Sequence, residues 1–220
     1  MARQQDLETI EYEGWRVIEL GRQAPERIVP QYPNWTLRDL VLHVASVHGR
    51  TGTVCRTLAT ERVPLAVLPT GADAFDWASE QLALMLAALA EADPSAQVWT
   101  FVDDRALGFW RRRMVIETGV HRWDAQGALA EPDPLLDVVA RHGLDEFTDL
   151  YLPRLGDVPP VELRATDLGR AWRFGAGEPE ATVEGSASDL FLRLMSRPGA
   201  ELPRPWEQAV DALGSPADRR

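Results

Sequence analysis

The spacing of apolar residues changes once along this chain, and that change constrains the fold most. Up to about residue 155, apolar side chains recur three and four positions apart, the period of a helix with a buried face. Past Pro159 and Pro160 they alternate with polar ones, in Val161–Thr166 and Ala181–Glu184, the period of a half-buried strand. The sequence therefore predicts a mainly α chain. A helical bundle should occupy residues 1–156 and a small α+β domain residues 157–220, with the boundary near Gly156–Pro160.

Punctuation within the first part predicts five helices. Leu7, Ile10, Val17 and Ile18 mark the first, which Pro25 limits. Thr36 and Asp39 open the second, the hydroxyl as a cap and the carboxylate in the positive first turn, and it should reach about Thr60. The third begins after Gly71 and Asp73 and stops before Pro94, the fourth spans about Asp104–Gln126, and the fifth about Pro134–Tyr151. In the second part, Ala171–Phe174 is a third short strand, Gly175–Gly177 a turn, Ser188–Leu190 a helix start and Pro205–Leu213 a last helix.

Composition excludes several classes of partner. Asp and Glu number 34 against 23 Lys and Arg, a net charge of −11, which repels phosphate backbones and argues against nucleic acid. The longest wholly apolar run, Leu82–Ala90, falls far short of the ~20 residues that span a bilayer. The first residues form no apolar stretch of a secretory signal, and Cys55, the single cysteine, allows no intrachain disulfide. A reducing cytoplasm is the expected location, with no membrane association, for a monomer or homodimer.

Four histidines are present, His43, His48, His121 and His142. Glu117 precedes His121 by four residues, so the two share a helix face, about 40° apart. Trp110, Met114, Val115, Ile116 and Val120 make that helix apolar on several sides. A carboxylate buried there is driven to protonate or to find a cation. His43, in the apolar stretch Leu40–Ala45, can complete a set of two histidines and one glutamate, the donor set of a catalytic zinc site with an open fourth position. Nickel and iron suit the same donors. Asp124 and Asp39 lie within one turn of His121 and His43 and can accept a ring N–H. The plain alternatives are a surface Glu–His pair and a core histidine. His48, about 140° round the helix from His43, faces elsewhere; His142 reads as solvated and Cys55 as packed. Arg111–Arg113 is a solvated stretch, except that Arg113 can lean toward Glu117.

Three stretches carry a resemblance. Residues Trp35–His43 resemble the second helix of the mycothiol-dependent maleylpyruvate isomerase family, a branch of the DinB-like up-and-down four-helix bundles. Phe109–Ala125 is similar to that family's metal-binding helix, and Val183–Arg197 to the signature of its small C-terminal domain. The resemblance implies that His43, Glu117 and His121 bind a divalent metal, typically Zn2+. Ile116 departs from the many relatives that carry a histidine there.

What the resemblance implies for function is an enzyme, an isomerase or S-transferase, with mycothiol as co-substrate. A metal-bound low-molecular-weight thiol loses its proton and can attack an electrophilic small molecule. Arg197 and Arg193, one turn apart, are candidates to bind an anionic substrate. Two other functions suit the same bundle: a DinB-like metallohydrolase using metal-bound water, and a non-catalytic metal-binding regulatory protein.

Overall fold

The computed structural model describes residues 2–213 and divides into two compact units, one up to Asp133 and the other from Pro134. Four long helices build the first: α1 (Ala2–Gln23), α2 (Leu37–Thr57), α3 (Ala74–Glu91) and α4 (Gly108–Gly127). Their buried faces carry Ile10, Val17, Leu40, Val44, Leu82, Met85, Met114 and Val115. Each such side chain contributes about 1.5–3 kcal/mol on leaving water. No described helix is long and apolar enough to cross a membrane.

Side-chain contacts fix the helix directions. Arg3 reaches the carbonyl of Leu89 at 2.9 Å while Arg22, at the other end of α1, meets Asp76, so α1 and α3 are antiparallel. Arg111 binds Asp6 at 3.0 Å and Arg122 binds Glu13 at 2.7 Å, so α1 and α4 run the same way. His48 of α2 meets Thr118 and Thr51 meets Met114 of α4, so α2 opposes α4, and the helices succeed one another up, down, down, up, with residues 58–73 returning the chain between α2 and α3. The Glu13–Arg122 pair is buried, and burial raises the Glu13 pKa even though Arg122 partly offsets it. Arg111, expected to be solvated, is thus tied to α1, while Arg112 bonds the exposed Asp104.

Two local features differ from the sequence expectation. A short antiparallel ladder, β1 (Ile28–Val29) and β2 (Tyr32–Thr36), precedes α2. Two residues of β1 give too short a run for alternation to register, and Pro33 masks β2. Helix α4 begins at Gly108 rather than Asp104 because Thr100 holds the preceding loop. Its hydroxyl donates to the carbonyls of Val102 and Asp104, while the Val98 N–H bonds the Arg105 carbonyl.

The second unit holds α5 (Asp137–Leu150), strands β3 (Val161–Ala165), β4 (Arg170–Phe174) and β5 (Ala181–Gly185), then α6 (Ala187–Leu194) and α7 (Arg204–Leu213). The sheet order is β4-β3-β5, with β3 antiparallel to β4 and parallel to β5. The sequence grouped α5 with the bundle, but α5 packs within this unit: Phe147 meets Phe174 with ring centroids 5.3 Å apart. Gly143 lets α5 approach α6, since a Cβ there would lie 2.2 Å from the Phe191 ring. Trp206 anchors α7 through an indole N–H donated to the Pro159 carbonyl at 2.7 Å.

Candidate metal centre

Three donors converge from two helices. Thr36 and Asp39 form a reciprocal capping box that fixes the start of α2 two turns before His43. The antiparallel α4 brings Glu117 and His121 opposite it. His43 Nε2 lies 3.2 Å from Glu117 Oε1, and His121 Nε2 lies 3.3 Å from the same oxygen. One atom from each of the three residues falls within 4.8 Å of the other two. Ligand atoms in a tetrahedral zinc site, with bonds of about 2.0–2.1 Å, are roughly 3.4 Å apart. Both measured edges match that spacing. The donor set and its geometry fit a divalent cation.

Neighbouring groups hold these donors in place. His121 Nδ1 lies 3.1 Å from Asp124 Oδ2, and Arg113 Nη2 donates to Glu117 Oε2 at 2.8 Å. With its N–H on Nδ1, His121 turns the Nε2 lone pair toward the cluster. Asp39 does not play the part expected beside His43. Its Oδ2 accepts from the backbone N–H and hydroxyl of Thr36 instead. Two aromatic rings cover the imidazoles: Trp35 sits 5.1 Å from His43 and Tyr32 5.9 Å from His121, centroid to centroid. Both come from β2, and their place in the site was not expected from the sequence. The available signal was Trp35 immediately before the helix cap, where a residue folds back along the helix.

Without a cation, the cluster holds itself together by charge. Burial opposes ionisation of Glu117, but the hydrogen bonds of His121 and His43 and the charge of Arg113 hold its pKa well below the usual range. Burial likewise disfavours the His121 imidazolium, yet Asp124 and Glu117 outweigh it and push the pKa up to about 9. A bound dication would take the place of that proton. His43 is a quarter exposed, whereas His121 is 7% exposed, so the cluster opens on the His43 side.

The remaining sequence candidates lie elsewhere. His48 is buried against Thr118, Nε2 to Oγ1 3.0 Å, and burial pushes its pKa down to about 4. Cys55 is buried, its thiol pushed up to about 12, so it is no nucleophile. His142, expected to be solvated, is half-buried on α5. Arg193 pairs with Asp211 at 2.8 Å and clasps α6 to α7. Arg197 is buried in the second unit and donates to the Met195 carbonyl at 2.7 Å.

A model of the mycothiol maleylpyruvate isomerase N-terminal domain matches residues 15–126, just over half of the chain, and spans all three donors. The chain belongs to that family. The family is one of enzymes. Among solved structures, the chain is similar to the mycothiol-dependent maleylpyruvate isomerase, with TM-score 0.71 and 17% identity over 93% of this chain and 96% of that one. A histidine-to-alanine variant of that isomerase superposes with TM-score 0.69 and 16% identity over the same shares. At such identities the likeness establishes the fold, a mainly α chain with a small α+β C-terminal part. No curated protein matches the sequence.

Proposed function

We propose that the chain is a metal-dependent, mycothiol-dependent isomerase or S-transferase acting on a small, carboxylate-bearing electrophile. The convergence of His43 Nε2, Glu117 Oε1 and His121 Nε2 carries this reading, joined to family membership. A divalent cation held there, most simply Zn2+, would lower the pKa of a thiol from about 8.5 and make it nucleophilic at neutral pH.

The chain's own residues supply the rest. Glu117 contributes the one anionic donor, and Arg113 orients it through the second oxygen. Asp124 fixes the His121 tautomer. Tyr32 packs against the His121 ring and Trp35 against the His43 ring, which leaves His43 a quarter exposed. The thiolate adds to an electrophilic double bond, whose electron pair moves onto the conjugated carbonyl as an enolate; the bond, now single, rotates, and return of the pair expels the thiolate and restores the alkene with altered geometry. If the enolate carbon instead takes the proton that the thiol lost, the sulfur stays attached and the outcome is S-transfer. Cys55, buried and protonated, takes no part, so the thiol must come from solution. Arg197 is the candidate from the second unit to meet a substrate carboxylate. Arg193 is the weaker one, since its guanidinium is bound to Asp211.

The test is metal content by mass spectrometry, followed by assay of maleylpyruvate isomerisation with and without mycothiol. About one zinc per chain and strict dependence on thiol are expected, with zinc lost in His121→Ala. Full zinc occupancy in that variant refutes the ligand set, and turnover without thiol favours a hydrolase.

A further inference from the structure

Arg50 lies on α2 seven residues after His43, hence on the same helix face and about 10 Å further along it. Trp110 lies on α4 seven residues before Glu117, and because α2 and α4 are antiparallel the two meet. The Arg50 guanidinium sits 5.3 Å from the Trp110 ring centroid and 5.7 Å from that of Trp99. The two indole centroids are themselves 5.4 Å apart, so both rings lie against the guanidinium from one side, one level away from the candidate metal centre.

Its hydrogen bonding is incomplete. Arg50 Nε is buried with no acceptor, and no hydrogen bond or ion pair joins this guanidinium to the described residues. A cation over an aromatic face satisfies its charge but not the N–H donors in the guanidinium plane. A buried donor without an acceptor is a standing penalty unless a ligand supplies the acceptor. The surroundings select the ligand's charge. Burial makes the charged form of Arg50 harder to keep, Glu117 favours it, and Arg113 and Arg62 add further positive charge nearby. In a chain of net charge −11, three arginines gather here. The Glu117 carboxylate already has Arg113, His43 and His121 as partners. Trp99 also lines an open cleft of about 490 Å³ that carries Arg62, Arg105 and Thr100.

We propose that Arg50 binds a carboxylate of the substrate through its in-plane N–H donors, with Trp99 and Trp110 holding the guanidinium ready. The inference rests on the isomerase reading and names the group in the bundle that grips the electrophile. A planar fork of donors matches a carboxylate in two parallel hydrogen bonds, which a lysine cannot reproduce. The ligand class this selects is a small carboxylic acid.

Maleate, a non-reacting cis-dicarboxylate, and its neutral diamide are the probes. In calorimetric titrations of the zinc-loaded full chain, maleate binds and the diamide does not. Arg50→Gln weakens maleate at least tenfold, Arg50→Lys recovers less than half of that loss on a logarithmic scale, and zinc content is unchanged in both. Equal maleate affinity in Arg50→Gln overturns the proposal. Indole fluorescence of the metal-free chain separates this from the metal reading, because Trp99 and Trp110 both lie against the guanidinium. Maleate produces a saturable change in the unaltered chain whether or not zinc binds, and absence of that change overturns the proposal even if Arg50→Gln fails to fold. A chain that takes up no zinc but shows the maleate response refutes the metal reading and leaves Arg50 standing.

Discussion

His121 Nδ1 and Asp124 Oδ2 lie 3.1 Å apart on consecutive turns of α4, and Asp124 is fully buried. That contact decides which imidazole nitrogen faces Glu117 and His43. A ring free to flip would present the wrong nitrogen about as readily as the right one. One predicted outcome is that Asp124→Asn, which keeps the shape and loses the charge, weakens metal affinity by about tenfold to a hundredfold. Competition against a coloured chelator measures it. An unchanged affinity would show that the tautomer is held by something else.

His48 sets an acid limit on stability. Burial holds its pKa at about 4 against an ordinary value of 6.5, so the unfolded chain binds this proton more readily than the folded one. Its contribution is present in full above about pH 6.5 and falls as pH drops toward 4, by up to about 1.4 kcal/mol per unit. His48→Gln, which retains an amide to face Thr118, should flatten the stability profile over that range. Urea unfolding at about pH 7, 5.5 and 4.5 compares the two chains. Parallel profiles would contradict the assignment.

The helices, the second unit's three strands and the shared face of Glu117 and His121 were legible in the sequence because each depends on short-range spacing, whereas His43, 74 residues before Glu117, was placed beside them by its apolar setting and by the family resemblance. Thr36 and Asp39 announced the start of α2, and the 117/121 spacing announced a shared face. Helix direction was not legible, because the parallel run of α2 and α3 follows from the path of residues 58–73 rather than from any periodicity. The placing of α5 escaped for a similar reason: its apolar face reads alike whether it meets the bundle or Phe174 and Phe191. Trp35 and Tyr32 come into the site through a two-strand ladder too short to signal itself. Arg50 could have been found seven residues after His43, but its aromatic partners Trp99 and Trp110 lie 49 and 60 residues away in sequence. Asp39 was misassigned because one carboxylate served two equally local readings, and the helix cap claimed it.

Replacing Arg197 tests its proposed contact with a substrate carboxylate apart from metal binding. Its side chain belongs to the second unit and the three donors belong to the first. Arg197→Ala should slow turnover of a carboxylate-bearing electrophile by roughly tenfold to a hundredfold, the worth of about 1.5–3 kcal/mol for a charged hydrogen bond. Zinc content should stay at the level of the unaltered chain. Loss of metal together with activity would mark Arg197 as structural.

The cluster of His43, Glu117 and His121 is proposed to hold a cation that receives a thiolate. Cobalt replaces zinc in such donor sets and reports its ligands by colour. Adding millimolar mycothiol to the cobalt-loaded chain should produce a near-ultraviolet sulfur-to-cobalt charge-transfer band that saturates with thiol and is absent from His121→Ala. A cobalt spectrum unmoved by mycothiol and by other small thiols would contradict the account.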